Sequence, residues 1–178
     1  MQRRYLSLGL LGLASCNAWQ VTQDPAAAGV IPRRGDIYIV RPVDGRFRNT
    51  AYPGSGDAVV RALLDGLRLH LPFDRVTAGF VPEEPQAALA SARLRRAAYM
   101  ITPGITYWVD RPAHAAFGPD GMAVQLDLAA IATGASIDRR TISVRSRTMI
   151  ATTAHAWELL PEPIAAYAAS ITGQSDLT

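Results

Sequence analysis

From Asp36 onward the apolar residues of this chain change period repeatedly, and the order of those changes constrains its fold more than any other feature. Ile37-Tyr38-Ile39-Val40 is a continuous apolar run bounded by Pro42, the pattern of a short buried strand. Val59, Val60, Leu63, Leu64, Leu67 and Leu71 then recur at helical spacing. Ser55 is placed to N-cap that helix, Asp57 suits the positive end of its dipole, and Pro72 ends it. Residues 75–81 predict a second strand; Glu83-Glu84-Pro85 opens a second helix that Arg93, Arg95 and Arg96 close. Tyr99 to Val109 predicts a third strand, in which Pro103 marks a bulge or an edge position. Beyond a polar loop closed by Pro119-Asp120-Gly121, residues 122–132 and 136–149 alternate as a fourth and a fifth strand. Pro161 and Pro163 open a last helix bearing Ile164, Tyr167, Ala168 and Ile171. The order β-α-β-α-β-β-β-α predicts an α/β (α+β) fold, a two-layer sandwich of a five-stranded mixed sheet with about three helices. Helical crossovers make its first three strands parallel or mixed, and the last strands an antiparallel meander.

The first sixteen residues carry a different signal. Arg3 and Arg4 precede a short apolar stretch, Leu6 to Leu13, followed by Ala14, Ser15 and the only cysteine of the chain, Cys16. A basic start, a short apolar core and small residues before a cut site make a secretory signal peptide. A transmembrane helix needs ~20 apolar residues, and this core is about half that. Leu13-Ala14-Ser15-Cys16 looks like a bacterial lipobox, with cleavage between Ser15 and Cys16 and a diacylglycerol on the Cys16 sulfur. A plain signal would instead leave an unpaired thiol in an oxidising compartment. Asn17 follows the cysteine where, by analogy with enteric bacteria, an aspartate would retain the protein in the inner membrane. The expected address is therefore the outer membrane, lipid-anchored and facing the periplasm. Residues 16–35, with Pro25, Pro32 and an alanine run, are expected to be a flexible tether. Residues 36–173 then make one domain and 174–178 a disordered tail.

Composition excludes more than it identifies. All 18 basic residues are arginine, against 15 acidic ones, and two of the three surplus charges, Arg3 and Arg4, leave with the signal. A balance so near neutral gives no case for nucleic-acid binding. One cysteine allows no internal disulfide and no thiolate metal site. His70, His114 and His155 fall on three different elements without ligand spacing, so no metal and no cofactor is expected.

Three short motifs occur in order: Tyr52-Pro53-Gly54-Ser55-Gly56, Tyr107-Trp108-Val109-Asp110-Arg111 and Leu159-Leu160-Pro161-Glu162-Pro163. With the lipobox they resemble a family of small bacterial lipoproteins catalogued as a domain of unknown function, over roughly Asp36 to Ile171. The element order is also similar to the N-terminal domain of TolB, to CsgG-like envelope lipoproteins and to the ring-forming lipoprotein of Pel-type exopolysaccharide export. These resemblances imply an envelope role and no enzymatic activity.

Three places could carry binding chemistry. Gly54-Ser55-Gly56 sets backbone amides at a helix N-terminus, where a small anion or a sugar hydroxyl could sit; an ordinary N-cap is the simpler reading. Trp108, Asp110 and Arg111 lead into a loop with His114 and Phe117, suited to sugar stacking or protein contact. A partly buried Trp108 beside a local Asp110–Arg111 ion pair fits equally. Arg139, Arg145 and Arg147 share the outward face of the fifth strand, with Arg140 on the other face. That face suits an acidic partner, lipid phosphate or anionic polysaccharide, and also suits a solvated surface that blocks edge pairing. Trp157 is expected to pack on the sheet ahead of the last helix.

The reading that follows is a non-enzymatic, membrane-anchored periplasmic lipoprotein working by protein–protein or protein–glycan contact, with a homo-oligomer as one form such contact can take. The alternative is a small-ligand or glycan-binding module in which the Tyr52–Gly56 and Trp108–Arg111 loops flank one pocket. A hydrolase would need Asp110 with His114. Lipidation has a direct check: globomycin should cause a lipidated precursor to accumulate on gels, and an unchanged pattern would refute it.

Overall fold

A chain can leave a buried strand through one helix to a parallel neighbour, then cross back over it through a second helix to a parallel strand on its other side. The two helices then fall on opposite faces, because both crossovers must be right-handed. The computed structural model, which describes residues 18–31, 35–111, 119–146 and 155–173, is built this way. Strand β2 (Ile37–Arg41) lies between β5 (Val76–Pro82) and β6 (Tyr99–Val109), parallel to both. Helix α1 (Ser55–Arg68) makes the first crossover and packs Val59, Leu63 and Leu67 into one core with Ile37 and Ile39. Helix α2 (Pro85–Leu94) makes the second and sets Ala88 and Ala92 in a smaller cluster with Tyr38 and Val40, on the opposite face.

Strands β7 (Gly121–Ala130) and β8 (Ser136–Arg145) continue β6 as the expected antiparallel meander. Their inward residues, Met122, Val124, Leu126, Leu128, Ile142 and Val144, are buried under helix α3 (Pro161–Ile171) and α1. The α1 and α3 axes approach closely because Gly66 has no side chain; a Cβ there would sit 3.3 Å from the Ile164 Cγ2. Between β2 and α1 a small hairpin, β3 (Arg46–Phe47) and β4 (Thr50–Ala51), lies beside the second half of β6, where β2 no longer pairs. Pro103 occupies that unpaired stretch, so its missing N–H costs no ladder bond to β2. A shift of register follows between Ile105 and Tyr107.

The main sheet has six strands rather than five, in the order β1-β8-β7-β6-β2-β5. The extra strand corrects the expected tether: residues 18–28 form an edge strand, β1 (Ala18–Ala28), antiparallel to β8. Trp19 and Val21 share the inward face with Val144 and Ile142, an alternation masked in the sequence by Pro25 and the alanines. Pro25 falls in a register shift between Gln23 and Ala28, the kind of site an edge strand tolerates. Ile31 is buried and its N–H donates to the carbonyl of Ile171. Strand β8 ends at Arg145; Ser15, Cys16, His114, Phe117, Arg147 and the expected tail lie outside the described residues.

A buried polar knot fastens β1. The Asp138 carboxylate is fully buried; its Oδ1 accepts from Gln23 Nε2 at 2.8 Å and from Arg140 Nε at 3.1 Å. Its Oδ2 lies 3.0 Å from the same Arg140 nitrogen without hydrogen-bond alignment. Arg140 also donates to Ser170 Oγ on α3 at 2.6 Å. Asp138→Ala, which leaves Arg140 buried against no carboxylate, should cost ~3–5 kcal/mol in urea unfolding. Arg139→Ala, at the next position but in the exposed row, should leave the unfolding midpoint unchanged within error.

Candidate functional site

The N-terminus of α1 has the amide geometry of an anion site, and the protein fills it with its own carboxylate. The helix N-cap is Gly54, at φ 86°, a conformation in which a side chain would be strained. Ser55, expected as the cap, is instead the first helical residue and buried. Its Oγ donates to the Tyr52 carbonyl at 2.7 Å and accepts from the Gly45 N–H at 2.8 Å, tying the hairpin loop to the helix. Asp44 then accepts from the N–H groups of Gly56 (2.8 Å) and Gly54 (3.2 Å). Arg41 completes the network with a two-pronged contact to Asp57, Nε to Oδ1 at 2.6 Å and Nη2 to Oδ2 at 3.2 Å. The guest that Gly54-Ser55-Gly56 could have taken is thus supplied from within, and the sequence hides it because Asp44 lies in the preceding loop.

Electrostatics follow the contacts. The hydrogen bond from Arg41 holds the Asp57 carboxyl below its ordinary 3.8, against an opposing push from partial burial. At Glu83 burial pushes the pKa up, but hydrogen bonds from Ser91 and Tyr38, with the charge of Arg95, carry it below the usual range. Tyr38 is raised by burial and by its 2.6 Å bond to that carboxylate.

Arg41, Asp44 and Glu83 stand around a cleft of about 450 Å³, with Arg46, Thr102 and Pro103. It opens at the carboxyl ends of β2 and β5, whose outgoing helices lie on opposite faces, the usual ligand position of open α/β sheets. No motif in the sequence points to this cleft; the signal lies in the crossover topology, which motif spacing does not report.

The second expected loop resolves differently. Trp108 is 1% exposed, packed beneath Gly45, and offers no ring to a ligand. Asp110 and Arg111 do not pair with each other. Asp110 accepts from the Ala156 N–H and meets His155 Nδ1, both at 3.2 Å. The Arg111 N–H donates to Asp120 at 2.8 Å, and its guanidinium to the Pro119 carbonyl. His155 stacks on Trp157 with ring centroids 3.9 Å apart. Trp157, expected on the sheet, is 42% exposed because the 3-10 turn Ala156–Leu159 buries Ala156 and Leu159 instead. With Pro53, Gly54, Asp57, Ala58 and Arg61 it lines an open depression of about 380 Å³. The two loops thus reach the same end of the domain through residues 155–157, with Gly54 in the depression and Trp108 in the core.

On the uncovered sheet face Arg139 is bound by Asp127, its Nη2 to Oδ2 at 2.8 Å, with Asp24 3.9 Å away. Arg145 is exposed at the end of β8. Two consequences of the α1 network can be measured. Asp44→Ala should cost about 0.5–2 kcal/mol in denaturant unfolding, because it orphans two amides of the helix start. Asp57 has a folded pKa below its unfolded one, so its contribution exists above pH 3.8 and fades as pH falls through the lower folded value. Asp57→Asn should therefore lose about 0.5 kcal/mol or less at neutral pH, after solvent screening, with the gap closing in acid.

No curated protein matches the sequence. Among solved structures the chain is similar to the PelC dodecamer of Paraburkholderia phytofirmans, at 19% identity and TM-score 0.59, covering 83% of this chain and 96% of that one. A leucine-to-methionine variant of that dodecamer aligns at 17% identity and TM-score 0.60, over 86% and 98%. Protein XCC0632 of Xanthomonas campestris, of family DUF330, aligns at 14% identity and TM-score 0.53, over 87% and 93%. At these identities the likeness is one of fold. A family model, the domain of unknown function DUF4823, matches residues 30–171, and the chain belongs to that family.

Proposed function

We propose that this chain is an envelope lipoprotein, anchored by diacylglycerol on Cys16 in the outer membrane and facing the periplasm. Its domain works there by contact with proteins or glycan in a homo-oligomeric assembly, and not by catalysis. The observation that carries the reading is the shared fold with PelC, which spans 96% of a chain solved as a dodecamer. The lipobox supports the address. Among the described residues the main sheet also ends in two unlike edges, β1 and β5, each paired on one side only. A closed ring of identical subunits needs two different complementary surfaces on each copy. Strand β5 presents Phe80, 89% exposed, beside Val81 and close to Phe73, apolar surface that a neighbouring subunit would cover. At the cleft beyond β2 and β5, Arg41 is engaged by Asp57 and Glu83 by Tyr38 and Ser91, an arrangement suited to holding shape.

Sedimentation of the detergent-extracted protein, with crosslinking in intact envelopes, tests this. A species several times the monomer mass, lost on Phe80→Asp, is the expected result. A monomeric profile together with no crosslinked partner would overturn it.

A further inference from the structure

Among the described residues, the sheet begins at Ala18, two positions after Cys16 in the sequence. Ala18 pairs with Arg145, Arg145 with Gly121 and Gly121 with Val109, so these four form the last row at one end of the sheet. Only Asn17 separates Ala18 from Cys16. Two residues of fully extended chain span at most ~7 Å. A 19-residue flexible tether would have an end-to-end distance of roughly 25 Å, leaving the domain free to turn. β1 does not behave as such a tether: it is paired with β8 from Ala18 to Gln23 and tied by Gln23 to the buried Asp138.

We propose that this end of the domain docks on the phospholipid headgroups of the membrane in which Cys16 is anchored. The proposal rests on lipidation at Cys16. The headgroup zone is ~5–7 Å deep on each side of the hydrocarbon, so a leash of this length brings the last row into it. The residue types there suit that medium. Trp19, 38% exposed, sits one position from the row, and Trp157 reaches the same end through the Asp110–His155 contact. Tryptophan side chains favour the membrane–water boundary, with an apolar ring and one polar N–H. Arg145 is exposed in the row itself; exposed Arg48 stands on the hairpin whose Phe47 ring meets Tyr107 at 5.2 Å. Guanidinium groups pair well with lipid phosphate. The acidic groups Asp110 and Asp120 are turned inward onto backbone N–H groups, which lowers their repulsion of phosphate; Glu158 and Glu162 are exposed, and exposed Asp57 beside Trp157 is paired with Arg41.

The buried Trp108 supplies an internal reference. The purified full-length protein is placed in phosphatidylethanolamine–phosphatidylglycerol vesicles whose acyl chains are brominated near the headgroup, and tryptophan emission is compared with that in unbrominated vesicles. Intact mass first reads whether Cys16 carries acyl chains. Expected is an emission loss of a third or more in the wild type, and little loss in Trp19→Phe/Trp157→Phe, whose remaining tryptophan is Trp108. A ten-residue Gly-Ser insertion after Asn17 should restore most of the emission. An acylated protein whose emission is the same in both vesicles overturns the docking and leaves the lipoprotein reading standing. Protection from aqueous iodide without bromine quenching assigns this end to contact between subunits, which also overturns it. An unacylated Cys16 overturns both.

Discussion

The position of Asp138 governs where the amino end of the chain goes. A carboxylate with no exposure to water needs its charge compensated, and here the compensating network draws on three elements. Gln23 arrives from β1, Arg140 from β8 itself, and Ser170 holds Arg140 from α3. Residues that composition marks as a linker are thereby drawn into a sheet. Tyr167, buried against the same cluster with its pKa pushed up by desolvation, stays protonated beside that charge. A polar core of this kind selects one register for β1, since a one-residue slip would carry Gln23 to the wrong face.

The same economy governs the start of α1. Phosphate-binding proteins leave such amides open to a ligand, whereas here Asp44 closes them and Arg41 braces the nearby Asp57. The helix dipole therefore contributes to stability, and the exposed surface among the described residues lies elsewhere: at the β5 edge and around Trp19 and Trp157.

The architecture is legible where periodicity is strong. The strand at Ile37–Val40, the leucine stripe of α1, the alternation of β7 and the proline-opened α3 all follow from residues whose burial leaves one choice of face. The sequence misleads where a short alternation carries linker-type residues: Trp19-Gln20-Val21-Thr22 reads as a strand only once β8 is beside it. Site residues are harder because their partners are remote in sequence. Asp110 pairs with His155 and Asp44 with Gly56, so the local Asp110–Arg111 and Ser55 readings have plausible chemistry but the wrong partners. At Trp108 the sequence leaves a ligand-facing ring and a buried one both open, for a related reason. The register shift between Ile105 and Tyr107 moves it to the core face, and no spacing rule announces such a shift.

The pairing of β1 with β8 also orders events in time. Gln23 and Asp138 are 115 positions apart, so β1 has to wait for β8 before it can pair. Contacts of such separation close late, after the local crossover units have formed. Until then residues 18–28 have no partner strand. Once β8 is in place, β1 pairs along it from Ala18 to Gln23. The amino-terminal edge of the sheet is thereby completed late, by topology alone.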